Sequence, residues 1–133
     1  MFELHPQLAK DCDTVCDLSL CTMLLMNDSQ YPWLILVPKV KDIREVIDLT
    51  PSQQQILWQE SAMVSKALQC VCNPDKLNVA ALGNMVPQLH IHHIARFTTD
   101  KAWPAPVWGV CPAIPYDDGK KSEFINALKQ QLS

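Results

Sequence analysis

No stretch of this 133-residue chain approaches the roughly 20 consecutive apolar residues of a membrane-spanning helix, so no membrane segment is expected. There is no basic excess either. Lys and Arg number 11 against 14 Asp and Glu, a net charge of −3, which leaves no general attraction to nucleic acid or an anionic membrane. Among six cysteines there is no CxxC pair, and Cys70-x-Cys72 is not a usual zinc spacing. The cysteines lie mostly in apolar surroundings and are read as buried, reduced thiols. With three glycines there is no Gly-rich loop of the kind that wraps a triphosphate at a helix N-terminus. Met1 to Lys10 lacks the basic-then-apolar layout of a secretory leader, so the expectation is a soluble, cytoplasmic protein.

What is present is ordinary for a globular domain: 48% apolar and 19% charged residues. Such a chain buries roughly two-thirds of its unfolded surface. Without repeats, low-complexity tracts or a linker, residues 1–133 read as one domain. Leu4 and Leu8 suggest a short helix within Phe2 to Asp11. Leu20 to Met26 reads as a strand entering the turn NDSQ, and Trp33 to Pro38 as its hairpin partner. Ile43, Val46 and Ile47 suggest a short helix between Lys41 and Leu49. In TPSQ, Thr50 is a good N-cap, Pro51 suits the first helical position and Gln53 can close a capping box. The helix that follows runs to about Cys72, where Asn73-Pro74 stops it. Leu77 to Leu82 and Leu89 to Phe97 read as a second hairpin. Pro104, Pro106, Pro112 and Pro115 make residues 101–116 an irregular segment. Ser122 to Leu132 closes as a short docking helix. Hairpins without βαβ alternation imply an α+β fold: an antiparallel sheet with one long helix and a short C-terminal one.

The stretch VPQLHIHH, Val86 to His93, holds three of the four histidines. On a strand, alternate side chains share a face, so Gln88, His90, His92, Ile94 and Arg96 point one way and Leu89, Ile91, His93 and Ala95 the other. The polar groups on the first face repeat about every 7 Å, a spacing suited to a phosphate chain or a metal. Three readings are open from the residues alone: surface histidines of a half-exposed sheet, a His-x-His metal site with His5 as the remaining candidate ligand, or an imidazole nucleophile with an assisting neighbour.

VPQLHIHHIARF resembles the signature of the histidine triad superfamily, His-φ-His-φ-His-φ-φ with φ apolar. The likeness extends to LLMNDSQYPWLILVP and KLNVAALGN upstream and to AWPAPVWG downstream, the last similar to a bacterial branch of short members. The resemblance implies that His90 is the nucleophile and that His92 contacts the phosphate and leaving group. Gln88 stands where the first histidine is expected, and it can donate and accept hydrogen bonds but cannot take a proton. Asn84 falls where the family places a polar group near the α-phosphate, Asn27 near a ribose position, and Asn78 is a weaker ligand candidate. The turns after Gly83 and in NDSQYP explain Asn84 and Asn27 almost as well. Arg96 reads as a solvated charge, and Trp103 and Trp108 as packing for the proline-rich segment or, for either, contact with a base.

The implied chemistry is attack by neutral His90 on the α-phosphorus of a purine nucleotide, adenine favoured, followed by hydrolysis of the nucleotidyl-histidine. The substrate class is a dinucleoside polyphosphate or nucleoside phosphoramidate. Hydrogen-bond donors carry the charge, so no resident metal or other cofactor is required; magnesium enters as the counter-ion of a polyphosphate substrate. A homodimer joining two sheets edge to edge is also implied. The alternative is a nucleotide-binding or sensing module with little turnover, because Gln88 leaves the triad incomplete.

Overall fold

The computed structural model describes residues 1–132. Pro6–Asp11 forms a short helix (α1), and Pro51–Cys72 the long one (α2). Its start is the one the sequence implies: the Thr50 hydroxyl accepts from the Gln53 amide, and the Gln53 side chain accepts from the Thr50 amide. Asn73 ends it in the left-handed conformation. Five strands, β1 (Cys12–Asp17), β2 (Cys21–Met26), β3 (Trp33–Pro38), β4 (Lys76–Ala81) and β5 (Ile91–Arg96), build one antiparallel sheet in the order β1-β2-β3-β5-β4. The C-terminal helix, α3, spans Asp118–Leu132.

The two expected hairpins therefore merge. Trp33 pairs with Ile94 and Leu36 with Ile91, making β3 and β5 inner strands buried along their whole length. Strand β1 escapes sequence reading because CDTVCD carries one aspartate on either side of Val15. It is an edge strand with a shifted register between Thr14 and Cys16, so it needs little β propensity of its own. Lys41 to Leu49 contains no α-helix; only a single 3-10 turn, Val46–Asp48, forms. Of the cysteines, all free, Cys21 is buried, whereas Cys70 is exposed on α2, against the expectation of uniform burial.

One face of the sheet packs on α2 and α3 through residues such as Leu34, Leu36, Val64, Leu68 and Leu128. Glu60 of α2, 3% exposed, accepts from the backbone amides of Leu20 and Cys21, both at 2.9 Å, which ties the helix to the β1–β2 turn. The opposite face packs on α1 and the segment 101–116 through Leu8, Ile35, Ile94, Ala102 and Val107. That second cover is incomplete, and the gap lies over His90 and His92.

Candidate functional site

Regular strand pairing begins only at Ile91, so Gln88 to His90 is the extended lead-in to β5 and not part of it. The alternation of faces nevertheless holds for the histidines. His92 lies opposite Ile35, and the rings of His90 and His92 meet edge to face with centroids 4.9 Å apart. Both are about 95% buried yet line a cavity of about 660 Å³ with Leu8, Met26, Asn84 and Trp108. His93, paired with Leu34, points into the helical side.

Each ring is fixed by its other nitrogen. His90 Nδ1 lies 2.7 Å from the Gln88 carbonyl oxygen, which can only accept, so Nδ1 carries the proton and Nε2 keeps a free lone pair. His92 is set the opposite way. The indole Nε1–H of Trp33 donates to His92 Nδ1 at 3.0 Å, so the neutral ring holds its proton on Nε2. That proton faces only the Leu82 carbonyl, at a long 3.4 Å. Burial first, and then neighbouring His90, push the His92 pKa down to about 4, so it is a neutral donor at neutral pH. The site thus offers one imidazole lone pair beside one imidazole N–H. Gly83 permits the approach of the preceding loop: a Cβ there would come 2.7 Å from the Val86 carbonyl oxygen and 3.5 Å from the His90 ring.

The remaining candidates divide. Asn84 lines the cavity. Asn27 lines an adjoining hollow of about 370 Å³ that shares Asp11, Met26 and Trp108 with it, while its Oδ1 accepts from the Tyr116 amide at 3.0 Å. Gln88 does not extend the row of histidines along the cavity. Its amide turns to the N-terminal segment, accepting from His5 N at 2.9 Å and donating to Glu3 O at 2.8 Å. Asn78 lies outside the cavity, its Oδ1 occupied by Arg96 Nη1 at 2.8 Å.

Arg96 itself corrects the expectation of a solvated charge, being 2% exposed. It makes a two-point contact with Asp100, at 2.8 and 3.1 Å, and donates to the Ala105 carbonyl. Burial alone would raise the Asp100 pKa, but Arg96 and the amides of Phe97 and Trp103 outweigh it and hold the carboxyl at about 2. This pair fastens the proline-rich segment to the sheet, and so places Trp108 against His92, ring centroids 5.0 Å apart. Sequence reasoning left Trp33 without a role and considered His5 only as a metal ligand. An indole three residues after the NDSQ turn had no visible link to a histidine 59 positions later. Among the described residues, no three His, Cys, Asp or Glu side chains are grouped to hold a metal ion, and no helix is long and apolar enough to cross a membrane.

The chain is similar to a solved histidine triad protein of Bradyrhizobium japonicum, with 47% identity over 99% of this chain and 98% of that one and a TM-score of 0.98. It is likewise similar to histidine triad proteins of Marinobacter aquaeolei (48% identity, 99% and 96% of the chains, TM-score 0.97) and Sinorhizobium meliloti (42%, 98% and 97%, 0.97). No match is found among curated proteins. The family model for the HIT domain matches residues 7–99, and the chain belongs to the histidine triad family.

Proposed function

We propose that this protein is a nucleotide hydrolase or transferase acting at the α-phosphate of a purine nucleoside phosphate through a nucleotidyl-His90 intermediate. The observation that carries the reading is the opposed pair of tautomers: a lone pair on His90 Nε2 next to a proton on His92 Nε2. His90 Nε2 forms the new N–P bond as the bond from phosphorus to the leaving group breaks. The His92 Nε2–H hydrogen-bonds the leaving atom as negative charge builds on it. Water then cleaves the N–P bond, releasing the nucleoside monophosphate and regenerating His90. The family resemblance assigns Asn84 to the α-phosphate and Asn27 to the ribose, and their places on the cavity and its adjoining hollow are compatible with that; Asn78 is assigned to holding Arg96. Adenine is the favoured base, no cofactor is resident, and magnesium accompanies a polyphosphate substrate as its counter-ion. The proposed setting is a cytoplasmic homodimer joined edge to edge.

The test is intact-protein mass spectrometry after brief mixing with a diadenosine polyphosphate or an adenosine phosphoramidate, quenched at neutral to alkaline pH because phosphohistidine is acid-labile. An added adenylate mass that disappears in His90→Ala is the expected result. Full turnover by His90→Ala overturns the nucleophile assignment. The second reading, a nucleotide-binding module, draws on Gln88, which brings no titratable group to the site. It is favoured if nucleotide binds while neither adduct nor product forms.

A further inference from the structure

Gln88 replaces a histidine with a group of different geometry. A primary amide presents an acceptor and a donor side by side on one carbon, whereas the two ring nitrogens of histidine point away from each other. The Gln88 amide uses both, taking the N–H of His5 at 2.9 Å and giving a proton to the carbonyl of Glu3 at 2.8 Å. It pairs with residues 3–5 as a neighbouring strand would, and a histidine could not make both bonds to that segment.

The segment held this way delivers His5. Its N–H is taken by Gln88, its carbonyl accepts from the Ala9 amide at 3.0 Å, and its ring Nδ1 accepts from the Gln7 amide at 3.1 Å as the cap of α1. An acceptor at Nδ1 leaves the proton of the neutral ring on Nε2. Nε2 is the one polar atom of His5 without a partner among the described residues, and the half-buried ring lines the same cavity as His90 and His92. A third imidazole therefore reaches this site, from the N-terminus and not from the histidine row.

We propose that His5 contacts the substrate, donating its Nε2–H to the phosphorylated ligand, and that Gln88 is the positioning residue that holds it there. The proposal rests on the nucleotide reading of the cavity and gives the missing triad histidine a purpose: the site exchanges one imidazole for another. His5→Asn isolates the role, because the Asn side-chain oxygen can still cap α1 while the distal N–H is lost.

Nucleotide affinity would be measured by calorimetry with AMP and a diadenosine polyphosphate, and kcat and KM with the diadenosine polyphosphate. Variants are His5→Asn, Gln88→Ala, the double variant and Gln88→His. Losing one hydrogen bond to a charged group is expected to weaken Kd or KM about 10-fold in His5→Asn, with the melting temperature retained. Gln88→Ala should weaken it similarly, and the double variant no further, since Gln88 acts through His5. Weakening already seen with AMP puts the contact on the nucleotidyl half, and weakening confined to the dinucleotide puts it on the leaving group; either supports the proposal. Wild-type affinity and kinetics in His5→Asn, additive losses in the double variant, or a large gain in turnover in Gln88→His would overturn it. A wild-type protein that binds neither nucleotide overturns this proposal and the function it rests on together.

Discussion

His92 and His93 are neighbours on one strand, equally buried by position, and they lead different lives. His92 faces the cavity, with Trp33 on Nδ1 and its Nε2 proton only loosely held by Leu82. His93 faces α2: its Nδ1–H donates to the Ile91 carbonyl at 3.1 Å, and the Ser61 hydroxyl donates to its Nε2 at 2.7 Å. Burial pushes the pKa of both down to about 4. A depressed pKa therefore does not distinguish the cavity-facing histidine from the core one. What separates them is a ring on the cavity whose Nε2 proton is held only by one long bond, which His92 has and His93 lacks. His93 is a satisfied core residue, locking β5 to α2.

Breaking this contrast at its strongest point means removing His90, the proposed nucleophile beside His92. His90→Ala should lower turnover by more than about 10³-fold, since a nucleophile's loss removes the covalent route. Its melting temperature should stay near wild type. On the other face the outcome should invert: His93→Ala leaves a cavity and an orphaned Ser61 hydroxyl, costing about 2–4 kcal/mol in urea unfolding. Activity per folded molecule should change little. A His93→Ala protein that is stable but inactive would break the division between the two faces.

Trp33→Phe sharpens the comparison by cutting the bond that orders His92. Turnover should fall about 10-fold, as one buried hydrogen bond and the tautomer it selects are lost. Protonating Nδ1 no longer sets two donors against each other, so the acid limb of the kcat profile should move to higher pH. The mildest prediction concerns stability. Both imidazoles are held neutral in the fold, at about 4, so the unfolded chain takes up more protons below the ordinary histidine range near 6.5. Their contribution is full above that range and is lost as pH falls toward 4, by the order of a few kcal/mol. Denaturant melts between pH 7.5 and 4.5 should show the decline, and His93→Phe should flatten it.

Much of this site was legible. The alternation of HIHH by itself sorts His90 and His92 from His93, because a strand's side-chain period is insensitive to where pairing begins. The start of α2 was legible from TPSQ for a similar reason: capping is a contact between residues three apart. Arg96 was misread because one buried arginine looks the same in sequence as an exposed one. Only its partners, Asp100, Asn78 and the Ala105 carbonyl, distinguish the two. Asn78 was placed near a ligand for the same lack of knowledge about its neighbour.

The sequence by itself determined most of the elements, the faces of the histidine strand and the pair of histidines, all of which follow from residue type and near-neighbour spacing. Tertiary structure decided how the hairpins joined, which nitrogen of each ring holds the proton, and where Gln88 spends its amide. Those depend on partners 59 and 83 positions away for the Trp33–His92 and His5–Gln88 bonds. Directional contacts of that range form only when packing has brought the chain together, so no local pattern encodes them.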